Sequence, residues 1–302
     1  MTRVAAIDCG TNSTRLLVAD VEDGAVREVG RGLRITRLGE SVDTRRRLLP
    51  VAIARVRNAL SDYRRELDRL GAGRTLAVAT SAVRDADNGE AFLGEIEWSY
   101  GFSTRLLSGD EEARLTYRGV ASGRTLDPGT MIVDIGGGST ELIMADRHVS
   151  LDVGSVRLTE RFAEDADAAG AFVADQLPDW PVEAAIGVAG TVTSLAALDL
   201  GLVDYEPYRV HGHVLGAAAV DDQLAGLAAL PLEERRRLPG LEPDRAPVIV
   251  AGAAILREIL RRYGLSSIEA SEHDLLHGVA LAAAELPAPE EGAVPPGAYT
   301  CC

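Results

Sequence analysis

The strongest constraint on the fold of this sequence is a short glycine-rich motif that occurs twice. Residues 6–20 read AIDCGTNSTRLLVAD, and residues 132–146 read IVDIGGGSTELIMAD. Aligned without a gap at an offset of 126 residues, the two segments agree at seven positions, from Asp8 and Asp134 to Asp20 and Asp146. Each copy places apolar residues on both sides of a Gly/Ser/Thr/Asn turn, which is typical of a β-hairpin. One copy would favour an ordinary hairpin, whereas two matching copies predict an internal duplication.

The composition of these turns indicates that they bind phosphate. Glycine lets backbone N–H groups approach an anion closely, and Ser and Thr hydroxyls add further donors. The predicted phosphate-binding residues are Gly10, Thr11, Asn12, Ser13, Gly136, Gly137, Gly138, Ser139 and Thr140, together with Gly190, Thr191 and Thr193 of a third turn that precedes a helix. Asp8 and Asp134 end buried strands and are predicted to bind a hydrated divalent cation, for which hard oxygen ligands favour Mg²⁺. Because a second strand rather than a helix follows the glycines, the motif is not a dinucleotide fingerprint.

Composition excludes several classes of protein. All 31 basic residues are arginine, and a chain without lysine cannot form a P-loop or a protein-kinase active site. The net charge of −15 argues against a nucleic-acid partner. Because no apolar stretch reaches the length of a membrane span and charges come too early for a signal peptide, we expect no membrane partner and a cytoplasmic location. Cys9, Cys301 and Cys302 do not suggest a disulfide framework.

The spacing of strand hairpins and helices along the chain predicts two α/β domains with mixed sheets, residues 1–124 and 125–286. The boundary is the turn-rich segment SGRTLDPGT, residues 122–130. The predicted helices include residues 51–70, 88–100, 110–121, 155–162 and 170–177, and a long helix over 246–263 with Asp244 as its cap and Pro247 in its first turn. The Pro/Gly/Glu-rich residues 287–302 are predicted to be a disordered tail.

Seven motifs along most of the chain resemble the exopolyphosphatase/guanosine pentaphosphate phosphohydrolase family, in its short two-domain actinobacterial form. They are DCGTNSTRLL (8–17), ATSAVRDADN (79–88), SGDEEARLTYRGV (108–120), DIGGGSTEL (134–142), GSVRLTERF (154–162), GVAGTVTSLAAL (187–198) and VHG (210–212). The resemblance implies two ribonuclease H-like domains of the actin/sugar-kinase/heat-shock ATPase fold, with an interdomain cleft and a last helix that packs on the first domain. It also implies a homodimer. Pro247, where many relatives carry an acid, and DLLHG (274–278), in place of an Arg-Glu pair, depart from the family's pattern.

The resemblance also implies catalytic residues. It makes Glu112 the base that activates the attacking water, Arg84 a phosphate-facing arginine, and Glu141 a glutamate that acts through the water shell of the metal. The residues themselves leave alternatives open, since Glu111 and Glu112 both lie in the first turn of a helix, where acids offset the macrodipole. Arg84 could instead pair with a neighbouring acid, and Glu141 could be a solvated strand position.

The implied reaction is Mg²⁺-dependent hydrolysis of the terminal phosphoanhydride of inorganic polyphosphate, which releases orthophosphate. The alternative is the same chemistry on guanosine pentaphosphate, and a small-molecule kinase or a nucleotide-binding scaffold of the same fold is less favoured. Arginines that either guide a polyanion or form solvated faces are Arg31, Arg34, Arg37, Arg45–Arg47 and Arg235–Arg237. His211 is expected to be structural.

Overall fold

The computed structural model describes residues 1–287 and divides into two compact units. The first comprises Met1–Arg124 and the segment that begins at Leu275, and the second comprises Thr125–Asp274. Except for Pro287, the predicted tail lies outside the described residues, as do Cys301 and Cys302. None of the helices within residues 1–287 combines the length and apolar character needed to cross a membrane.

The first unit contains five strands and five helices before the chain enters the second unit. They are β1 (Thr2–Cys9), β2 (Ser13–Glu22), β3 (Ala25–Ile35), α1 (Val42–Arg45), α2 (Pro50–Leu70), β4 (Arg74–Ala79), α3 (Ser81–Arg84), α4 (Gly89–Tyr100), β5 (Ser103–Leu106) and α5 (Gly109–Ala121). The predicted helices over 51–70, 88–100 and 110–121 are thereby confirmed to within one residue at each end.

The longest of these helices, α2, shows how the sequence dictates an element. Val56, Leu60, Tyr63 and Leu67 are buried at three- and four-residue spacing, so one face of the helix packs on the sheet. Pro50 is tolerated in the first turn, where its missing N–H would have no helical partner. The helix ends at Gly71, which adopts a left-handed conformation with φ 70° and donates its N–H to the Leu67 carbonyl.

The five strands form one mixed sheet in the order β3-β2-β1-β4-β5. β1 pairs antiparallel with β2 and parallel with β4, which in turn pairs parallel with β5. Because side chains alternate along a strand, Ala5 and Ile7 pack in the core that α2 and α4 cover, whereas Val4 and Ala6 face the core that contains Leu115 of α5. The carboxyl ends of the three parallel strands therefore meet at one edge of the sheet.

The second unit contains six strands and seven helices. They are β6 (Thr130–Ile135), β7 (Thr140–Ile143), β8 (His148–Leu151), α6 (Ser155–Phe162), α7 (Ala166–Ala174), β9 (Ala184–Val188), α8 (Ala189–Asp199), α9 (Pro207–Val210), β10 (Val214–Gly216), α10 (Ala217–Ala229), α11 (Leu232–Arg235), α12 (Ile249–Tyr263) and β11 (Ser267–Ala270). Its sheet has the order β10-β11-β9-β6-β7-β8.

The two sheets repeat one topology. In each, an antiparallel three-stranded meander continues into parallel strands: β3-β2-β1-β4-β5 in the first unit, and β8-β7-β6-β9-β11 in the second, to which β10 adds an antiparallel edge. The register also repeats, since Asp8 lies opposite Arg15 and Asp134 lies opposite Glu141. This repetition confirms the predicted fold class of two ribonuclease H-like domains.

The last helix, α13 (Leu275–Glu285), returns to the first unit and packs on β1, β2, β4 and α5. Leu275, Val279 and Ala280 join the core on that face of the sheet. Gly278 lies so close to α5 that a Cβ there would come within 1.9 Å of the Leu115 carbonyl oxygen. Only glycine therefore allows this approach of the two helices.

Two details of the predicted helices are wrong. The segment predicted as a helix over 170–177 forms one over Ala166–Ala174, because Asp165 caps it by accepting a hydrogen bond from the Ala168 N–H. The long helix begins at Ile249 with Val248 as its N-cap, so Asp244 does not cap it and Pro247 precedes it. Residues 243–248 form turns instead, in which the Val248 N–H donates to the Arg245 carbonyl.

Candidate active site

The first glycine turn, residues 10–13, connects β1 to β2. The Gly10 N–H donates to the Ser13 carbonyl at 3.0 Å, and a Cβ on Gly10 would meet that oxygen at 3.1 Å. The carbonyls of Thr11 and Asn12 accept from backbone N–H groups of residues 36–39 at 2.8–3.0 Å. Because the C=O and N–H of one trans peptide point in opposite directions, the N–H groups of Asn12 and Ser13 face away from that segment. Such a row of N–H groups favours an anion.

This turn is attached to the helix that carries the predicted arginine. The buried Thr11 hydroxyl lies 2.9 Å from the Ser81 hydroxyl, in the first turn of α3. α3 follows the carboxyl end of β4 directly and ends at Arg84. The structure thus brings the first turn and Arg84 to the same edge of the sheet.

The structure separates the two glutamates that the sequence left equivalent. Ser108 is the N-cap of α5, and Glu111 completes a capping box, in which its carboxylate accepts from the Ser108 N–H at 2.9 Å. That backbone hydrogen bond is the main reason why the pKa of Glu111 lies below its ordinary value. Glu112 instead points inward and is 6% exposed. The capping role belongs to Glu111, and Glu112 is the buried carboxylate.

Arg84 contacts Glu112 rather than a neighbouring aspartate. Its Nη1 atom donates to the Leu107 carbonyl at 2.8 Å and lies 3.5 Å from Oε2 of Glu112. The guanidinium is half-buried, so it keeps access to solvent. A guanidinium at this distance favours the ionised form of the carboxylate, which is the form that accepts a proton.

Asp8 lies at the end of β1, on the same sheet face as Val4 and Ala6. Arg15, opposite it on β2, binds its Oδ2 atom through Nε at 3.0 Å and Nη2 at 2.8 Å. This pairing competes with a metal ion for the carboxylate. The neighbouring Cys9 is a buried free thiol whose pKa is raised by burial and, to a smaller extent, by the charge of Asp8, so it remains a neutral core residue.

The second glycine turn, residues 136–139, repeats the first and is braced by a helix. The Gly136 N–H donates to the Ser139 carbonyl at 3.0 Å. The first residues of α6 bind the turn's carbonyls: the N–H of Ser155 donates to Gly136 O at 3.0 Å, and that of Val156 to Gly137 O at 2.8 Å. By the same peptide geometry, the N–H groups of residues 137–139 face away from α6.

Three residues of this brace lay outside the predicted site residues. Gly154 allows α6 to approach, since a Cβ there would lie 2.3 Å from the Gly137 oxygen. Arg157 donates through Nε to Gly138 O at 2.8 Å, and Ser155 donates through its hydroxyl to Gly136 O at 3.3 Å. All three belong to the GSVRLTERF motif, which was the signal that could have located them.

The second unit carries a pair of acids where the first has an acid and an arginine. Asp134 and Glu141 are both buried and lie opposite each other on β6 and β7, where Cβ atoms of a cross-strand pair are about 5 Å apart. Glu141 also accepts from the Ser150 hydroxyl at 2.8 Å. Two buried like charges at this separation are stabilised by a proton or a cation.

The donor set of this acidic pair fits Mg²⁺. This ion is commonly held by one or two carboxylates and keeps several waters that phosphate oxygens can replace. Within residues 1–287 there is no group of three or more His, Cys, Asp or Glu side chains placed to hold a metal ion. A metal ion in the second unit would thus be held by Asp134 and Glu141 and completed by water or phosphate.

The remaining predicted threonine ligands have side chains that already contact other parts of the fold. Thr140 donates to the Val153 carbonyl at 2.5 Å inside the sheet. In the third turn, which opens α8, Thr193 donates to the Ala189 carbonyl at 3.1 Å, and Thr191 packs against Gly252 of α12. A Cβ on Gly190 would lie 1.3 Å from Nη1 of Arg245, so this guanidinium sits on the third turn. Arg245 lay outside the residues predicted from the sequence.

The predicted structural histidine has a backbone partner. His211 accepts from the Glu272 N–H through Nδ1 at 3.1 Å and packs against His273, with ring centroids 4.7 Å apart and ring planes tilted by 30°. These contacts join α9 to the turn after β11.

The repeated sheet, with a glycine turn after the first strand of each unit, defines a class: an α/β protein of the actin/sugar-kinase/heat-shock ATPase fold. A family model described as the Ppx/GppA phosphatase family matches residues 17–286. The chain therefore belongs to the Ppx/GppA phosphatase family.

Its relatives agree with this assignment. A Mycobacterium tuberculosis protein named exopolyphosphatase 2 is 38% identical over 94% of this chain and 99% of its own length. Among solved structures, a Ppx/GppA family member of Aquifex aeolicus has a TM-score of 0.79 and 32% identity, and covers 95% of this chain and 99% of its own. Another, described as exopolyphosphatase-like, has a TM-score of 0.87 and 33% identity over 93% of this chain and 97% of its own. The resemblance stated from the motifs is confirmed.

Proposed function

We propose that this enzyme is an exopolyphosphatase, which hydrolyses the terminal phosphoanhydride of inorganic polyphosphate and releases orthophosphate. The observation that carries the proposal is the buried Glu112 carboxylate, 3.5 Å from the guanidinium of Arg84, whose helix is attached to the first glycine turn. The 38% identity to a protein named exopolyphosphatase 2 supports polyphosphate as the substrate.

In the proposed mechanism, each group has one task. Glu112 accepts a proton from the attacking water, and Arg84 both keeps that carboxylate ionised and binds oxygens of the phosphoryl group as charge develops on them. The N–H groups of residues 12 and 13 orient the phosphate, since phosphoryl transfer depends chiefly on position and charge neutralisation. Mg²⁺, when held by Asp134 and Glu141, would supply further neutralisation of phosphate charge.

The test is phosphate release by a matched pair of variants in one helix turn. Glu112→Gln removes the proton acceptor, and we expect turnover to fall by about 10²- to 10⁴-fold. Glu111→Gln is the control, because glutamine also completes a capping box, and its turnover should stay within about threefold of the wild type. Full turnover by Glu112→Gln would show that another group is the base.

The substrate is decided in the same assay. The enzyme would be given polyphosphates of defined length, guanosine pentaphosphate, and ATP with candidate acceptors, each with Mg²⁺ and with a chelator. We expect release from polyphosphate and its loss with the chelator. Faster release from guanosine pentaphosphate would favour that substrate, and acceptor-dependent loss of ATP without free phosphate would favour a kinase.

The homodimer and the cytoplasmic location remain predictions from the sequence.

A further inference from the structure

Three consecutive arginines of the first unit, Arg45, Arg46 and Arg47, form a surface that we term the basic triplet. All three are exposed. In the part of the chain that the structure describes, their side chains make no hydrogen bond, ion pair or ring contact. Several exposed arginines elsewhere in this unit are paired with acids: Arg57 binds Glu95, and Arg65 and Arg69 bind Asp62 and Glu66. The triplet is thus a concentration of uncompensated positive charge on a chain whose net charge is −15.

The backbone of the triplet is held in place. Arg46 adopts a left-handed conformation with φ 53°, and its carbonyl accepts from the Asp87 N–H at 2.8 Å. Leu48, which is 1% exposed, exchanges two hydrogen bonds with the Asn88 side chain, at 2.8 and 3.1 Å. A non-glycine residue in this conformation persists only where its surroundings determine it. The triplet is therefore a fixed part of the fold.

The attachment point places the triplet beside the proposed catalytic arginine. Asp87 follows Arg84 by three residues, so their Cα atoms are at most about 11 Å apart. Residues 41–48 and 84–88 together carry four arginines and three aspartates, so this surface is net positive. A polyanion whose end lies at Arg84 would meet the triplet several phosphate groups further along its chain.

We propose that Arg45, Arg46 and Arg47 bind phosphate groups of a polyphosphate chain beyond the one that is hydrolysed. Guanidinium groups pair well with phosphate oxygens, and a row of them suits a polymer that repeats the same anion. The inference rests on the proposed function and adds a preference for long chains, because a short substrate would not reach the triplet.

The test compares two triple variants that remove the same charge. Arg45→Gln/Arg46→Gln/Arg47→Gln should raise KM for long polyphosphate by roughly tenfold, as expected for three exposed charge pairs, while kcat and the KM for tripolyphosphate stay within about twofold. Arg57→Gln/Arg65→Gln/Arg69→Gln is the control and should leave every KM within about twofold. The wild-type KM for long chains should also rise with salt more steeply than that of the first variant.

Equal kinetic constants and equal salt dependence for the two triple variants would overturn the proposal. If the wild type released no phosphate from any polyphosphate, the proposed function would fail instead. In that case, the role of the triplet can still be tested by measuring the affinity of long polyphosphate for Glu112→Gln, with the three arginines present and with all three replaced by glutamine. Equal affinity in that experiment would overturn the role of the triplet.

Discussion

Replacing Gly154 by alanine should displace the second glycine turn, because the new methyl group would clash with the backbone of that turn. An alanine Cβ at this position would lie 2.3 Å from the Gly137 oxygen and 2.4 Å from the carbonyl carbons of Gly137 and Gly138. These are backbone atoms, so no flexible side chain can move aside. Relief requires that the start of α6 and the turn separate.

The magnitude follows from these distances. Carbon contacts are comfortable near 3.5 Å, so α6 must move by about 1 Å. Its hydrogen bonds to the turn, now 2.8–3.1 Å long, would then exceed the range of a hydrogen bond. Overpacking together with the weakened hydrogen bonds should lower the free energy of unfolding by about 2–4 kcal/mol. A displacement of this size in a phosphate-binding turn should slow phosphate release by about 100-fold.

Trp180 allows the second unit to be measured separately. The chain has two tryptophans, Trp98 in the first unit and Trp180, which packs against the core of the second. In a Trp98→Phe background, urea unfolding followed by Trp180 fluorescence gives the stability of the second unit. The control is Gly226→Ala in α10, where a Cβ would meet nothing within 4 Å. This substitution should raise the free energy of unfolding by up to about 1 kcal/mol, because alanine favours the helix more than glycine does. Unchanged stability and turnover in Gly154→Ala would refute the close approach of α6 to the turn.

Three further predictions concern the stability of the folded chain. Ser108→Ala removes the cap of α5 and should lower the free energy of unfolding, measured with urea, by about 1 kcal/mol. A decrease of less than about 0.3 kcal/mol would contradict the capping box. The buried Asp20 has a lowered pKa because it accepts hydrogen bonds from Arg3 and lies beside a second arginine, so its stabilisation is present above its unfolded pKa of about 3.9 and is lost as pH falls through the lower folded value. The difference in the free energy of unfolding between the wild type and Asp20→Asn should therefore become smaller below about pH 4. A difference that grows there would show that the folded state does not lower the pKa of Asp20. Arg235 is fully buried, with Nε and Nη1 lacking hydrogen-bond partners and one ion pair to the half-exposed Glu164. Arg235→Met should accordingly leave the unfolding midpoint unchanged or raise it, whereas a loss above about 3 kcal/mol would show that the arginine stabilises the fold.

The candidate site shows where reasoning from residues reaches its limit. Glu111 and Glu112 are adjacent acids in one helical turn, and periodicity alone cannot say which of them faces solvent. The capping box of Ser108 and Glu111 fixes the rotation of the first turn of α5, and that rotation buries Glu112 beside Arg84. The distinction depends on a residue 28 positions away along the chain, which no local pattern contains.

The brace behind the second turn shows the same limit. Gly154 carries no signal for a turn by itself, because its value lies in the space that it leaves for the Gly137 carbonyl. Likewise, the difference between the Asp8–Arg15 pair and the Asp134–Glu141 pair is visible in the aligned motifs, but its electrostatic meaning depends on burial. We expect the second pair to bind a cation better than Asp8 does, because Arg15 already offsets the charge of Asp8.

The amino-acid sequence alone determined the duplicated strand–turn–strand motif, the class of fold, and the positions of most helices. These features are local, because apolar periodicity and glycine-rich turns act within a few residues of each other. Tertiary structure alone decided which carboxylate is buried and which arginine contacts it. It also decided which carbonyls of the glycine turns bind neighbouring segments, so that the N–H groups of the turns face away from those segments. These outcomes depend on groups that are distant in sequence, and their free energies arise only when packing excludes water and holds the groups at hydrogen-bonding distance.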